Sequence, residues 1–195
     1  MPVGASDDSL SAMNSLLEVP EVRQQAFPVS VELYHRLTEG LPTELLRGTI
    51  IQKMSKSPFH QVYADRLRRI LSAQISPEWV VRQEGPLTFA NSEPEPDISV
   101  VPGPEEQYLQ GHPASAELAI EVAVSSLGID RVKASIYAEA NVREYWIICV
   151  ERREIEVYRR PEGEAYGDQS IVTAPAILEC ASLPGVRIDL GTLFV

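Results

Sequence analysis

Two short apolar segments in the middle of the chain each carry one carboxylate. The first runs from residue 97 to 101 and opens with Asp97, and the second runs from 117 to 124 with Glu121 near its centre. Short apolar runs of this kind are typical of strands that are buried on both faces of a parallel or mixed sheet covered by helices. An ionised glutamate there is unfavourable unless a metal ion, a lysine or arginine, or several hydrogen-bond donors replace its lost water.

Three other segments have the spacing of amphipathic helices. Ser30 and Ser57 are placed to cap the first two, and Pro58 suits the first turn of the second. The positions predicted to face the core are Leu33, Tyr34 and Leu37 in the first helix and Val62, Ala64, Leu67, Ile70 and Leu71 in the second. The third helix is expected over residues 130–140, with Asn141 taking the left-handed position that ends it.

The remaining apolar stretches are short and bounded by turn residues, which is typical of β-strands. A hairpin is predicted over residues 44–54, with its turn at Arg47 and Gly48. Further strands are predicted at 79–81, 87–89, 143–150, 154–160, 169–172 and 176–179, with a last short strand after residue 186. This order predicts one α/β domain over residues 28–195, an α+β arrangement with a mixed sheet and two or three helices, preceded by a flexible N-terminal arm over residues 1–27.

Composition narrows the class of protein. The 195 residues include two cysteines, Cys149 and Cys180, both in apolar segments, so we expect buried thiols in a reducing compartment. There is no apolar run of about 18 residues, the length that spans a membrane, and the N-terminus lacks the pattern of a signal peptide. We therefore expect a cytoplasmic protein. The net charge of −11 disfavours non-specific phosphate binding over the whole surface, although a local basic groove remains compatible with it.

The two carboxylates and a nearby lysine suggest a metal site. Asp97 and Glu121 can meet if their strands are neighbours, and Lys133 at the start of the next helix can reach the same point. Two carboxylates suit a hard divalent cation that activates water. The competing interpretation is that Asp97 caps a loop, Glu121 forms a structural ion pair with Lys133, and no metal binds.

An ordered set of motifs carries a resemblance to a known family. The motifs are Glu95–Val101 (EPDISVV), Ile120–Ser126 (IEVAVSS), Asp130–Lys133 (DRVK), Tyr137–Ala140 (YAEA) and Val142–Ile147 (VREYWI). Together they resemble the Uma-type family of putative restriction endonucleases, within the PD-(D/E)XK nuclease superfamily. The segments Glu44–Gly48 and Leu183–Val186 and the surroundings of His60 also fit that family, so the resemblance covers roughly residues 28–195.

The resemblance implies a restriction-endonuclease-like core with flanking helices and a set of metal ligands. Asp97 matches the aspartate of the superfamily motif and Glu121 its second acid. The backbone carbonyl of Val122 matches a further ligand, and Glu44 matches an upstream acid that such folds often add. The implied cofactor is Mg²⁺, with Mn²⁺ as the other candidate.

Two more residues follow from the resemblance. The usual lysine two positions after the glutamate is absent, because Ala123 stands there. The family pattern points instead to Lys133 on the following helix. His60 near the start of the second helix can contact phosphate or position water, since imidazole titrates near neutral pH, or it can be an ordinary histidine at a helix start.

These features lead to one functional hypothesis and two rivals. The first is a metal-dependent endonuclease that hydrolyses DNA phosphodiester bonds and forms a homodimer to cut two strands. The second is a non-catalytic nuclease-fold module that binds nucleic acid or a protein partner, with the N-terminal arm contacting the partner. The third is a structural protein in which Asp97, Glu121 and Lys133 form a buried ionic network.

Overall fold

The computed structural model describes residues 27–195 of the chain. The predicted N-terminal arm, residues 1–27, lies outside this range except for Phe27, so its flexibility stays a prediction. Within the described range, no helix is both long enough and apolar enough to cross a membrane.

Helices and strands are interleaved along the chain. The α-helices are α1 (Val31–Thr38), α2 (Pro58–Ser72), α3 (Leu127–Glu139) and α4 (Leu190–Leu193), and a short 3-10 helix spans Glu105–Tyr108. The strands are β1 (Thr43–Leu46), β2 (Thr49–Gln52), β3 (Trp79–Gln83), β4 (Ile98–Pro102), β5 (Leu118–Ala123), β6 (Glu144–Cys149), β7 (Glu154–Glu162), β8 (Ala165–Thr173), β9 (Ile177–Glu179) and β10 (Arg187–Asp189).

A six-stranded mixed sheet forms the centre of the fold. Its strand order is β3-β4-β5-β6-β7-β8. All neighbouring strands run antiparallel except β5 and β6, which are parallel and joined through α3. The pairs β1–β2 and β9–β10 form two separate small antiparallel sheets. This confirms the predicted mixed α/β class.

The central strands are buried on both faces, as their apolar sequences predict. All six residues of β5 are buried, and so are the first four of β4. One core packs α2 and the C-terminal segment against the face that carries Ile98, Ile120 and Trp146. The other core packs α3 against the opposite face, which carries Ala119 and Tyr145.

Local sequence signals are confirmed where they concern helix ends and turns. The Ser30 and Ser57 side chains accept hydrogen bonds from backbone N–H groups three residues later, capping α1 and α2. Asn141 ends α3 with a φ of 57°. Arg47 and Gly48, with φ values of 48° and 74°, form the β1–β2 turn. Both cysteines are buried and free.

Three predictions about elements are wrong. Residues 87–89 are not a strand, because they bond within their own loop, where the Leu87 N–H donates to Pro94 and the Phe89 N–H to Ser92. The third helix begins three residues earlier than expected, at Leu127. The described residues hold four α-helices rather than two or three, since the four-residue α4 is too short to show a period.

Helix faces were predicted less well than helix positions. Leu33, Leu37 and Val62 were assigned to the core but are 41%, 56% and 51% exposed. Tyr34 is buried, as predicted, and Tyr63, which was not predicted to face the core, is buried as well. Each helix is therefore rotated towards its tyrosine, because a large aromatic ring buries more apolar area than a leucine or valine at the edge of the stripe.

Candidate active site

The register of β4 and β5 places the two carboxylates side by side. Ile98 pairs with Ile120 and Ser99 with Ala119. Extending this antiparallel register by one residue sets Asp97 opposite Glu121. Because side chains alternate along a strand, Glu121 lies with Ala119 and Ala123 on the face covered by α3, and Asp97 lies just before β4, within reach of the start of α2. The sheet thus brings together two acids that are 24 residues apart in sequence.

The Asp97 carboxylate also accepts a hydrogen bond from β5 in place of a backbone carbonyl of the neighbouring strand. Its Oδ2 accepts a hydrogen bond of 2.8 Å from the Val122 N–H, just beyond the last paired residue of β4. The N–H and C=O of one strand residue point to the same side of the strand. The Val122 carbonyl is therefore directed towards the Asp97 side, as expected for the ligand predicted there.

Helix α3 supplies a lysine and a tyrosine to Glu121. Lys133 and Tyr137 are one helical turn apart, and their Nζ and hydroxyl groups lie 2.9 Å and 3.0 Å from Glu121 Oε1. The neighbouring residues on this face of β5 are Ala119 and Ala123, whose small side chains leave room for the helix. The lysine thus approaches from α3, as predicted from its absence at position 123.

The upstream acid is joined to the same lysine. Lys133 Nζ also lies 2.9 Å from Glu44 Oε2, so the ammonium bridges Glu121 and Glu44. Glu44 is held in place by the Glu95 N–H, which donates to its Oε1 at 2.8 Å. All three side chains of this bridge are less than a tenth exposed.

Asp97 has different partners, which lie in the first turn of α2 and in the segment just before it. His60 Nε2 lies 2.9 Å from Asp97 Oδ2, and Lys56 Nζ lies 2.8 Å from Oδ1. His60 Nδ1 is buried and has no hydrogen-bond partner among residues 27–195. The structure thus brings His60 to Asp97, while Lys133 pairs with Glu121.

These residues surround one cavity of about 170 Å³. Its walls include Glu44, Asp97, Glu121, Val122, Lys133 and His60, which are all of the residues predicted for the site. Lys56 and Asp130 also line the cavity and were not predicted for the site. The available signal was their position, since Lys56 precedes the cap of α2 and Asp130 lies three residues before Lys133.

Burial and neighbouring charges shape the ionisation of the α3 side of the cavity. Burial raises the pKa of Glu121 well above its ordinary value against the opposing effect of Lys133, and the nearby acids Asp97, Asp130 and Glu44 raise it further. Burial also raises the pKa of Asp130, to about 6. The α3 side therefore carries more carboxylates than cations, which favours uptake of a proton or another cation.

The two lysines and Asp97 remain charged. Burial opposes the charged form of Lys133, but Glu121 and Glu44 outweigh it and raise its pKa. The pKa of Lys56 is raised in spite of burial, through Asp97 chiefly. For Asp97, burial is outweighed by His60 and Lys56, which lower its pKa.

The donor set of the cavity fits a hard divalent cation. Asp97 and Glu121 are opposed, the Val122 carbonyl points to the same place, and oxygen is the ligand that Mg²⁺ and Mn²⁺ prefer. Lys133 and Tyr137 both bind Glu121 Oε1, and Oε2 has no protein partner among the described residues. One carboxylate oxygen of this buried residue is therefore available to a cation at the cavity.

A second cluster has ligand-type residues but does not fit a metal. Within residues 27–195, Cys149, Glu154 and Glu156 are the group of three whose donor atoms lie within 4.8 Å of one another. Arg131 already pairs with Glu156. Burial raises the pKa of the Cys149 thiol to about 12, so it is not a thiolate at neutral pH. The carboxylates of the cavity are spread more widely, with Lys133 between Glu121 and Glu44.

Comparisons with known proteins identify the family and a protein of similar fold. The sequence model of the Uma2 family, described as putative restriction endonuclease, matches residues 31–191. The crystal structure of a putative nuclease belonging to DUF820 from Anabaena variabilis aligns with a TM-score of 0.70 and 20% sequence identity, over 86% of this chain and 98% of that chain. No curated protein matches significantly. At this identity the structural likeness shows a shared fold.

Proposed function

Because this chain belongs to the Uma2 family of putative restriction endonucleases, we propose that it is a metal-dependent endonuclease that hydrolyses phosphodiester bonds of DNA. The observation that carries the proposal is the pair of opposed buried carboxylates, Asp97 and Glu121, with Lys133 2.9 Å from the second of them. In this proposal residues 28–195 act as one nuclease domain.

The metal ligands are Asp97, Glu121 and the Val122 carbonyl, with Glu44 as a further acid. Mg²⁺ or Mn²⁺ fits this all-oxygen set. A divalent cation bound there lowers the pKa of a bound water, so that hydroxide is available near neutral pH. The cation also offsets the carboxylate charge that otherwise repels phosphate, which reconciles a DNA substrate with a net charge of −11.

Lys133 and His60 have separate roles. Lys133 stays protonated because two carboxylates face it, and it orients the attacking water or offsets charge that develops on the scissile phosphate. His60 contacts Asp97 Oδ2 and orients that carboxylate towards the cavity. Both roles require a rigid frame, which the buried strands and the first turn of α2 supply.

Metal titration and cleavage together test the proposal. Full-length protein is titrated with Mn²⁺ and Mg²⁺ by calorimetry and incubated with plasmid DNA, alongside Asp97→Asn, Glu121→Gln and Glu117→Gln. Glu117 is the matched control, a half-buried glutamate directly before the first residue of β5 and away from the cavity. We expect the control to bind metal and cut, and both site variants to lose cutting. Unchanged Mn²⁺-dependent cleavage in Asp97→Asn and Glu121→Gln would show the site assignment to be wrong.

One observation favours the non-catalytic alternative. Asp97 and Glu121 each have a protein cation as partner, so the cavity neutralises much of its own charge. A nuclease-fold module that only holds nucleic acid or a protein partner needs no metal, and its N-terminal arm then contacts the partner. Absence of metal binding and cleavage in wild-type protein that still binds DNA supports this alternative. Sedimentation with and without DNA tests the proposed homodimer.

A further inference from the structure

Lys56 occupies a distinctive place at the mouth of the cavity. It lies in the irregular segment between β2 and α2, directly before the capping residue Ser57. Its ammonium is 2.8 Å from Asp97 Oδ1 and 3.1 Å from Glu84 Oε1. The side chain is 28% exposed, whereas the Asp97 carboxylate is 6% exposed. A flexible cation thus reaches from the surface to a buried acid.

Lys56 holds the oxygen of Asp97 that the rest of the protein leaves free. Oδ2 accepts from the Val122 N–H and contacts His60 Nε2, so this oxygen is fixed by the sheet and by α2. Among residues 27–195, Lys56 is the partner of Oδ1. A divalent cation that binds Oδ1 stands next to the Lys56 ammonium, and the repulsion between the two positive charges favours release of Lys56 from Asp97.

The two lysines of the cavity differ in how easily they can move. Lys133 is 5% exposed and bridges two buried carboxylates, so moving it leaves both without a cation. Lys56 has a long flexible stem, water on one side and a second acceptor, Glu84, that is 38% exposed. The free-energy cost of moving Lys56 away from Asp97 is therefore much lower than that of moving Lys133 away from Glu121.

We propose that Lys56 is an exchangeable partner of Asp97, bound to Oδ1 when no cation is present and transferred to a phosphate oxygen of the substrate when Oδ1 becomes a metal ligand. This inference rests on the proposed metal-dependent function and adds a substrate-binding residue to it. Asp97 keeps a positive partner throughout, and the ammonium moves only between oxygens at the cavity mouth. Lys56 then places a positive charge beside the metal, whereas Lys53 and Lys133 of the same cavity stay paired with Glu95, Glu121 and Glu44.

The first experiment measures competition between Lys56 and metal. Mn²⁺ is titrated calorimetrically into wild-type protein, Lys56→Gln and Lys53→Gln, without DNA. Lys53 is the matched control, because it lines the same cavity and carries the same charge but pairs with Glu95 at 2.6 Å. We expect Mn²⁺ affinity to rise about tenfold or more in Lys56→Gln relative to Lys53→Gln, since a protein cation no longer holds the ligand.

The second experiment measures the transfer to phosphate. Binding of a labelled DNA duplex is followed against salt concentration, with and without Ca²⁺, an oxygen-seeking cation. With Ca²⁺, the slope of log K against log salt in Lys56→Gln is expected to fall by about 1 relative to wild type. Without Ca²⁺ the slopes should agree, because Lys56 is then held by Asp97.

The outcomes separate this inference from the proposed function. If wild-type protein binds Mn²⁺ and Asp97→Asn does not, the metal site stands, and equal affinities in Lys56→Gln and Lys53→Gln then overturn the role of Lys56 alone. Equal slopes in Ca²⁺, or a loss of slope without it, overturn the transfer to phosphate. If no variant binds Mn²⁺, both proposals fail together.

Discussion

Replacing Lys133 by methionine gives the sharpest test of how the cavity is built. The side chain is 5% exposed and its ammonium lies 2.9 Å from both Glu121 and Glu44. Methionine fills a similar volume without charge. Lys133→Met therefore leaves two buried carboxylates without their common cation.

The expected loss is large relative to the stability of a domain. Breaking a buried ion pair by removing one partner costs about 3–5 kcal/mol, because the remaining charge is left unpaired. Two carboxylates lose their partner here, so we expect a value in the upper part of that range. Native domains have only about 5–15 kcal/mol of stability.

The opposite end of the same ion pair is expected to behave differently. In Glu121→Gln, Lys133 keeps Glu44 as a partner, and Tyr137 can still donate to the amide oxygen. Burial and three neighbouring acids raise the pKa of Glu121, so its ionised form is less favourable in the folded protein than in water. The variant should be as stable as wild type or more stable by about 0.5–2 kcal/mol, as is common where a functional site is destabilising.

Urea unfolding at pH 7.5 with EDTA measures both variants against wild type. Midpoints report stability when the slope is unchanged. Excess Mn²⁺ should then stabilise wild type, by about 2.7 kcal/mol at one hundred times its Kd, and should not stabilise Glu121→Gln. A loss of about 3–5 kcal/mol in Glu121→Gln, equal to that of Lys133→Met, would refute this reasoning. Glu121 would then belong to a structural ionic network.

Three further predictions concern pH, helix capping and the β1–β2 turn. Burial raises the pKa of Asp130 from its ordinary value of 3.8 to about 6 in the folded protein. The contribution of Asp130 to stability is therefore present below about pH 4 and lost as pH rises through 6. In thermal or urea unfolding, the free energy of unfolding of Asp130→Asn should equal that of wild type at pH 4 and exceed it by about 2 kcal/mol at pH 8. A difference that stays constant between pH 4 and pH 8 would contradict the raised pKa of Asp130. Ser57→Ala removes the hydroxyl that caps α2, which accepts a hydrogen bond of 3.1 Å from the His60 N–H. The variant should lose about 1 kcal/mol of stability and bind Mn²⁺ more weakly. Ser30→Ala, which removes the cap of α1, is the control and should leave metal affinity unchanged. Gly48→Ala should destabilise the protein by more than about 1 kcal/mol, because φ is 74° and the new Cβ would lie 2.3 Å from Pro28 Cβ. Gly163→Ala is the control: its φ is 64° but its Cβ would meet open space, so it should show the cost of backbone strain alone.

Features that depend on neighbouring residues could be predicted from the sequence. The caps at Ser30 and Ser57, the turn at Arg47 and Gly48 and the end of α3 at Asn141 all follow from local backbone chemistry. The mixed α/β class followed from the continuous apolar runs of β4 and β5, because a strand with one face in water alternates apolar and polar residues. The order of the motifs supported the family resemblance, which the match over residues 31–191 confirms.

Features that depend on distant residues needed the tertiary structure. The sequence indicated Asp97, Glu121 and Lys133 as one group, but the fold divides the cavity into two sets of paired side chains. Lys133 pairs with Glu121 and Glu44. Lys56 and His60 pair with Asp97. Lys56 was missed because its partner is 41 residues away, and the partner depends on how α2 meets the end of β4. Sequence thus determined the elements and the candidate acids, since these follow from local periodicity and residue chemistry. Which cation neutralises which acid was decided only by packing, because a lysine side chain can reach several acids and the positions of the helices select among them.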